Sequence, residues 1–429
     1  MDTPLERIIE NDGVNLHVVP SRKFKTITFT AKFKAPLSRN TITKRALLPY
    51  VLQQGTESYP SRSSVQLKLD SLYGAVLSIN GSKKGNHHIL TIRLEVANQK
   101  YIPDADGIMD EAISLLKEVI FHPVSENNAF KESVINREKD TLKQKIDSVI
   151  DDKMSYANMR LIDEMCADEA YKLHVQGYKE DFDGITASNL FSYYQSLLKE
   201  DQLDFYVLGD IDADEVTEKV KGVFQGQTAV KDKQENTESK KQMEQPNIVT
   251  EKQQLQQAKL HFGYRTNVTY RDDEYYALQV FNGLFGGFPS SKLFINVREK
   301  NSLAYYAASR IESHKGLLFV FSGIAPEDYE KAKEIIEQQM DAMCEGDFTE
   351  GDIANTKELI TNQLLETMDN SQGIVEMLYQ QVAGETERSP QELIDGIKGV
   401  SKQEVVNVAR KITLDTIYLL TKEGGGQNE

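Results

Sequence analysis

The chain of 429 residues is poor in cysteine and has no long apolar run. Two cysteines, Cys166 and Cys344, are too few for a disulfide scaffold or a cysteine-rich metal module. No apolar stretch approaches the roughly 18 residues that span a bilayer. The N-terminal residues mix acids and bases, unlike a signal peptide. These absences predict a soluble, cytoplasmic protein without a membrane span.

Positive charge is also scarce. The chain has 50 Lys and Arg against 66 Asp and Glu, a formal charge of −16. Nucleic acids and anionic membranes bind proteins through positive charge, so neither is an expected partner. With 39% hydrophobic and 27% charged residues the composition is that of a globular protein. A single core stops growing at roughly 250–300 residues, so at least two domains are expected.

A weak internal repeat supports two domains. Thr26–Phe33 and Lys259–Tyr264 both alternate like strands, and helical periodicity follows in Asp104–Ile120 and Pro326–Met343. The pairs Ser71/Ser302 and Gly85/Gly316 share an offset of 231 residues. The element order predicts an α+β protein with two homologous α/β sandwich domains, each with helices packed on a mostly antiparallel sheet.

A segment rich in Gln, Lys, Glu and Asn lies between the two repeats. It spans 231–257 and has almost no apolar residue to bury, so it is predicted to be a solvated linker. The predicted domains are therefore 1–230 and 258–429.

The helical segment before Gly55-Thr56 is where an inverted zinc peptidase carries H-x-x-E-H, in which two His bind zinc and the Glu activates water. Here the three positions are Ala46, Pro49 and Tyr50, which neither bind zinc nor take a proton from water. No other H-x-x-E-H or H-E-x-x-H occurs in the chain.

The histidines offer no replacement. They are His17, His87, His88, His122, His174, His261 and His314. His87 and His88 are adjacent, and neighbours on a strand point to opposite faces, so they do not chelate one ion together. Glu138, in a charged helix from about 129 to 150, has the context of a third zinc ligand, but an ordinary solvated carboxylate fits the same pattern.

Two features of the second half remain. Gly283, Gly286 and Gly287 interrupt an apolar run that lacks the pattern of a phosphate loop, so it is either a helix-ending turn or a flexible glycine-rich loop over a channel. Arg298 and Tyr305 lie where a helix gives way to a strand. Their donors suit a peptide carbonyl or an oxyanion, but a surface Arg298–Glu299 pair beside a core tyrosine is the alternative.

The chain resembles the pitrilysin–insulinase family of zinc peptidases, in the branch of the mitochondrial processing peptidase. The resemblance runs from 13–20 through Gln54-Gly55-Thr56, Val134–Glu138 and Val207–Asp210, and is most specific in Val297-Arg298-Glu299 with Ser302-Leu303-Ala304-Tyr305. Such proteins contain two related α+β domains arranged as a clamshell. In heterodimeric members, one subunit carries the zinc motif and the other the Arg–Tyr pair.

The resemblance implies a non-catalytic subunit. Zinc would be held only by a homologous partner with an intact H-x-x-E-H, and this chain would have no metal or other cofactor. Arg298 and Tyr305 would bind an extended peptide substrate in a shared chamber, with the Gly283–Phe288 loop lining or gating its entrance. Two alternatives stay open, namely a structural or peptide-binding scaffold without a proteolytic role, and a hydrolase with an unrecognised centre.

Overall fold

The computed structural model describes residues 6–11, 13–224 and 245–423. The strands in this part of the chain are β1 (Arg7–Asn11), β2 (Val14–Pro20), β3 (Thr26–Pro36), β4 (Val76–Lys84), β5 (His87–Ala97), β6 (Ser125–Glu126), β7 (Ala129–Phe130), β8 (Gln202–Gly209), β9 (Asn247–Gln253), β10 (Ala258–Arg265), β11 (Ala304–Glu312), β12 (Leu317–Ile324) and β13 (Thr413–Lys422).

The α-helices in the same residues are α1 (Ile42–Leu52), α2 (Arg62–Ser71), α3 (Ile108–Phe121), α4 (Glu132–Ser148), α5 (Lys153–Met165), α6 (Ala187–Glu200), α7 (Ala213–Lys221), α8 (Tyr275–Asn282), α9 (Tyr329–Glu345), α10 (Glu350–Thr367), α11 (Ser371–Gly384), α12 (Pro390–Gly399) and α13 (Lys402–Ala409). None of the helices in the described ranges is both long and apolar enough to cross a membrane.

The two large sheets repeat one topology. The first has the strand order β1-β2-β8-β3-β5-β4, and the second β11-β12-β10-β13-β9. With β1 set aside and the second order reversed, every strand has a counterpart in the other sheet. Each sheet contains one parallel pair, β2 with β8 and β9 with β13, and its other neighbours are antiparallel. The α+β class with two related halves is therefore confirmed.

The glycines predicted to correspond turn equivalent hairpins. Gly85 lies between β4 and β5 with φ of 50°, and Gly316 lies between β11 and β12 with φ of 69°. Both fall in the left-handed region, where a residue without a Cβ has no steric penalty. The offset of 231 residues seen in the sequence thus marks one conformational requirement that both halves share.

In the first unit the apolar side of β3 packs under α1, α3 and α6. Ile27, Phe29, Ala31 and Phe33 alternate toward this core because side chains in a strand have a period of two. The intervening residues form a polar face that is buried as well, comprising Thr28, Thr30, Lys32 and Lys34.

The second unit is built alike. Ala258, Leu260, Phe262 and Tyr264 of β10 point into a core shared with α8, α9 and α13. The opposite face of β10 and β13 is covered by α5, whose buried residues are Ala157, Leu161 and Met165.

The compact units do not follow the predicted boundaries. Residues 148–172, which include α5, belong to the second unit, and Met368–Glu376 belongs to the first. Part of the predicted linker, residues 231–244, lies outside the described residues. Its later part differs from the prediction, because Asn247–Gln253 forms β9 beside β13. This strand lies at a sheet edge and is largely exposed, so backbone pairing rather than apolar burial creates it.

Candidate functional site

The helix that corresponds to a zinc-motif helix is built as a packing element. Ala46 is buried in the first core, Pro49 is buried inside α1, and Tyr50 packs half-buried against the same core. A methyl group, a pyrrolidine ring and a neutral phenol offer no ligand set for zinc. The described residues contain no group of three or more His, Cys, Asp or Glu that could hold a metal ion. The site therefore does not fit zinc.

A buried arginine that sequence reasoning overlooked precedes Ala46. The guanidinium of Arg45 lies 2.7 Å from Asp201, donates from Nε to His88 Nδ1 at 2.9 Å, and donates from Nη2 to the carbonyl of Phe33 at 3.1 Å. Burial and this neighbouring charge hold the pKa of His88 well below its usual range. The signal for Arg45 was a charged residue at the start of the apolar run Ala46–Leu52 in α1.

Glu138 is held by arginine. The carboxylate is 5% exposed, and Arg137 Nε donates to its Oε1 at 2.8 Å. Arg137 Nη2 also donates to Gln54 Oε1 at 2.6 Å, so one guanidinium links α4 to the residues that follow α1. The solvated carboxylate considered for Glu138 is wrong, because its side chain is buried and paired.

A second cation of α4 lies near Tyr50, which the sequence predicts to occupy the place of the second imidazole. Lys145 Nζ lies 5.8 Å from the centre of the Tyr50 ring. An ammonium there is attracted by the electron-rich face of the ring and repels any other cation. The surroundings of the degenerate motif therefore carry positive charge on both Arg137 and Lys145.

The adjacent histidines of β5 separate as expected, with His88 buried and His87 partly exposed. His17 has a different environment. Its Nδ1 is 2.7 Å from Glu6 Oε1, its Nε2 is 3.3 Å from Asp204 Oδ1, and its ring stacks on Tyr206 at 4.1 Å. Burial lowers the pKa of His17, but the two carboxylates outweigh it and raise the pKa above its ordinary value.

The Arg298–Tyr305 segment joins two irregular structures. Arg298 lies in a π-helical turn, Phe294–Lys300, and Tyr305 lies at the register shift of edge strand β11. Ser302 has a φ of 52°, and Leu303 N–H donates to the Val297 carbonyl at 3.0 Å, which closes the connection. π-Helical turns are rare in proteins, and those that occur are often found at functional sites.

Both predicted residues of this segment reach solvent. The Tyr305 residue is 83% exposed and the Arg298 side chain 43% exposed. Val297, before Arg298, and Leu303 and Ala304, before Tyr305, are buried, so the segment is anchored while the two polar groups project. Arg298 Nε does lie 3.7 Å from Glu299 Oε1, but the core-tyrosine alternative for Tyr305 is wrong.

The glycine-rich run is helical rather than a loop. Gly283–Gly287 forms a π-helical turn that continues α8, and its first four residues are buried. A Cβ on Gly283 would lie 2.5 Å from Thr356 Cγ2, and one on Gly286 would lie 2.6 Å from the Ser309 backbone N. Gly287 is exposed, and a Cβ on it would meet Asn282 at 3.0 Å. Glycine is needed here for close packing, so a freely moving flap is not what the run forms.

Comparison with known proteins supports one family. Residues 184–360 match the family described as Peptidase M16 inactive domain. The chain is 47% identical over 411 residues to a protein of Bacillus subtilis named probable inactive metalloprotease YmfF, covering 96% of each.

Solved structures agree with this match. The crystal structure of a conserved protein from Enterococcus faecalis V583 has a TM-score of 0.90 at 34% identity and covers 97% of this chain and 99% of that one. A peptidase M16 inactive domain from Pseudomonas fluorescens shares the fold, with a TM-score of 0.80 at 15% identity and 98% of both chains covered. The chain therefore belongs to the M16 peptidase family, as its resemblance to the pitrilysin–insulinase peptidases predicted.

Proposed function

We propose that this protein is a non-catalytic subunit of a heterodimeric zinc metalloendopeptidase, to which it contributes substrate-binding residues. The observation that carries the proposal is the contrast between its two sites. The zinc-motif positions are filled by packing residues beside buried or cationic side chains, whereas Arg298 and Tyr305 project from an anchored segment. The inactive status in the name of the Bacillus subtilis relative is consistent with this contrast.

The proposed partner is a homologous subunit with an intact H-x-x-E-H, and the two subunits enclose a chamber for an extended peptide. Zinc bound by the partner supplies the chemistry that activates water. In this chain, the Arg298 guanidinium and the Tyr305 hydroxyl donate to the substrate carbonyl and stabilise the negative charge that develops on it. The peptide backbone adds to a sheet edge of the partner.

The proposed roles exclude other partners and cofactors. With a formal charge of −16 the chain is not expected to bind nucleic acid, and zinc is expected only in the partner subunit. We place the complex in the cytoplasm. In this proposal the run containing Gly283, Gly286 and Gly287 lines the chamber, and the close packing of its helical turn supports a fixed wall rather than a moving gate.

Reconstitution tests the proposal. The chain is used to capture its partner from the source cell, and cleavage of a quenched fluorescent peptide is measured with wild-type chain, Arg298→Ala and Arg310→Ala. Arg310 is an exposed arginine on the same strand as Tyr305 and serves as the matched control. Loss of one oxyanion donor is expected to lower kcat about a hundredfold, with KM nearly unchanged. Equal rates for all three proteins would refute the role of Arg298.

A scaffold without a proteolytic role is the second candidate. It is favoured by the packing of the zinc-motif helix, which serves the core and retains no ligand geometry. Size-exclusion chromatography of the chain with cell extract separates the two functions. Co-elution with an H-x-x-E-H protein supports the subunit function, and a homodimer that binds no peptide supports the scaffold.

A further inference from the structure

The guanidinium of Arg298 has an aromatic neighbour on its own helical turn. Its central carbon lies over the Phe294 ring, 4.5 Å from the ring centre. The two residues are the first and the fifth of the π-helical turn Phe294–Lys300, so the contact is built into one element. The attraction between a cation and the ring quadrupole stabilises one orientation of the cationic side chain even at exposed sites.

This contact leaves the donors of Arg298 available. The ring has no oxygen acceptor, so it orients the guanidinium without using up the N–H groups that a carbonyl would need. The carboxylate of Glu299 is 3.7 Å from Nε, which is beyond good hydrogen-bond distance. Arg298 is thus held mainly by a partner that does not compete with a ligand.

The turn that carries Phe294 is itself fixed. Phe294 is half-buried, and Leu293 and Val297 of the same segment are fully buried. Asn296 Nδ2 donates to Gln339 Oε1 at 2.7 Å and ties the turn to α9. A half-buried ring on an anchored turn has fewer conformations to lose when it supports the guanidinium.

We propose that Phe294 is a positioning residue for Arg298, so that the cation–π contact aligns the guanidinium with the substrate carbonyl before the peptide binds. The inference rests on the proposed function of Arg298. Pre-alignment removes the cost of ordering a long side chain during the reaction. Its loss should therefore appear in kcat rather than in KM.

The test compares four variants in the reconstituted complex with the same fluorescent peptide. Phe294→Leu keeps apolar volume but removes the ring, Phe294→Tyr keeps the ring, and Arg298→Ala removes the cation. Phe348→Leu is the matched control, at another phenylalanine of the same unit with a cation over its ring, Lys402 Nζ at 5.1 Å from the ring centre. We expect Phe294→Leu to lower kcat about threefold to fivefold with little change in KM. Phe294→Tyr and Phe348→Leu should retain the wild-type kcat.

A second measurement uses the isolated chain. The Nε–H resonance of Arg298, assigned by its loss in Arg298→Ala, should carry a ring-current shift that disappears in Phe294→Leu and persists in Phe294→Tyr. If Arg298→Ala impairs cleavage but Phe294→Leu matches Phe348→Leu, the positioning role is overturned while the proposed function stands. If Arg298→Ala also cleaves normally, both are overturned. An unshifted resonance in the wild-type chain would equally overturn the positioning role.

Discussion

At the scale of single residues, the histidines of this chain sit in opposite electrostatic environments. His261 on β10 is 0% exposed, and neither ring nitrogen has a hydrogen-bond partner in the described residues. Burial lowers its pKa to about 3. His17 lies between two carboxylates, and its pKa is raised. The contributions of the two side chains to stability should therefore change with pH in opposite directions.

For His261, the neutral form is favoured in the folded protein, whereas the unfolded chain takes up a proton below its ordinary pKa near 6.5. The contribution to stability is thus lost as pH falls from about 6.5 toward 3. We expect His261→Leu to remove this loss, so that between pH 7 and pH 5 the variant loses about 2 kcal/mol less free energy of unfolding than the wild type. Urea unfolding at both pH values measures it, and identical pH dependences would contradict the assignment.

For His17 the sign is reversed, because the folded protein favours the protonated ring. Its stabilisation is fully present below pH 6.5 and is lost as pH rises through the raised folded pKa. His17→Gln should therefore destabilise the protein more at pH 6 than at pH 9. Chemical unfolding at the two pH values tests this. The control is His122→Gln, because the His122 side chain is partly exposed and its Nδ1 lies 3.7 Å from Glu57 Oε2. A penalty that is larger at pH 9 would refute it.

The degenerate zinc motif gives a prediction about charge. The ammonium of Lys145 lies 5.8 Å from the Tyr50 ring, so it would repel a metal ion held by residues at 46 and 50. The double variant Ala46→His/Tyr50→His should bind zinc weakly, and adding Lys145→Glu should tighten binding at least about tenfold. Calorimetric titration with zinc measures both, and Lys139→Glu is the control on the same helix. Equal affinities with and without the Lys145 change would show that its charge does not act there.

At the scale of elements, the glycine-rich turn after α8 shows how far sequence patterns reach. Three glycines in an apolar run predicted either a turn or a mobile loop, because glycine permits both. The structure selects the turn through contacts with Ser309 and Thr356, which are distant in sequence. No local pattern contains that information.

Substitution in this turn distinguishes packing from mobility. A Cβ on Gly286 would lie 2.6 Å from the Ser309 backbone N, whereas one on Gly399 at the end of α12 meets nothing within 4 Å. We expect Gly286→Ala to lower the free energy of unfolding by about 1–3 kcal/mol, since the backbone must shift. Gly399→Ala should be neutral or slightly stabilising. If urea unfolding finds Gly286→Ala as stable as Gly399→Ala, the turn is not tightly packed.

The regular elements were largely predictable. α3 follows its apolar spacing at Ile108, Ala112 and Leu115, and β3 and β10 follow their alternation. β9 was missed because an exposed edge strand has little apolar signal. Arg45 and Lys145 were missed because their partners come from other elements, so their roles depend on tertiary contacts.

At the scale of the whole molecule, the sequence duplication does not coincide with the folding units. The second unit takes α5 from the first half of the chain, and Arg265 there donates to the Met165 carbonyl at 2.8 Å and pairs with Glu169 at 2.7 Å. Without that segment, the buried Arg265 keeps, among the described residues, its 2.9 Å pair with Asp415. Dividing the sequence into two contiguous repeats does not predict that residues 148–172 belong to the second unit.

The exchange predicts how fragments behave. A fragment of residues 245–429 lacks α5 and should not unfold cooperatively, because the open face of its sheet and the charge of Arg265 are left uncovered. Addition of a peptide of residues 148–172 should restore part of its near-ultraviolet circular dichroism. A peptide of the same composition in scrambled order is the control. A fragment that melts cooperatively at the temperature of the whole chain would contradict the division into these units.

The measurement that tests the account most directly is the zinc content and peptidase activity of the purified chain, alone and with its captured partner. Alone, it should contain no stoichiometric zinc and cleave no fluorescent peptide. Together with an H-x-x-E-H partner, it should cleave the peptide at a rate that falls with Arg298→Ala. One tightly bound zinc ion per isolated chain, with cleavage that a chelator abolishes, would contradict the account.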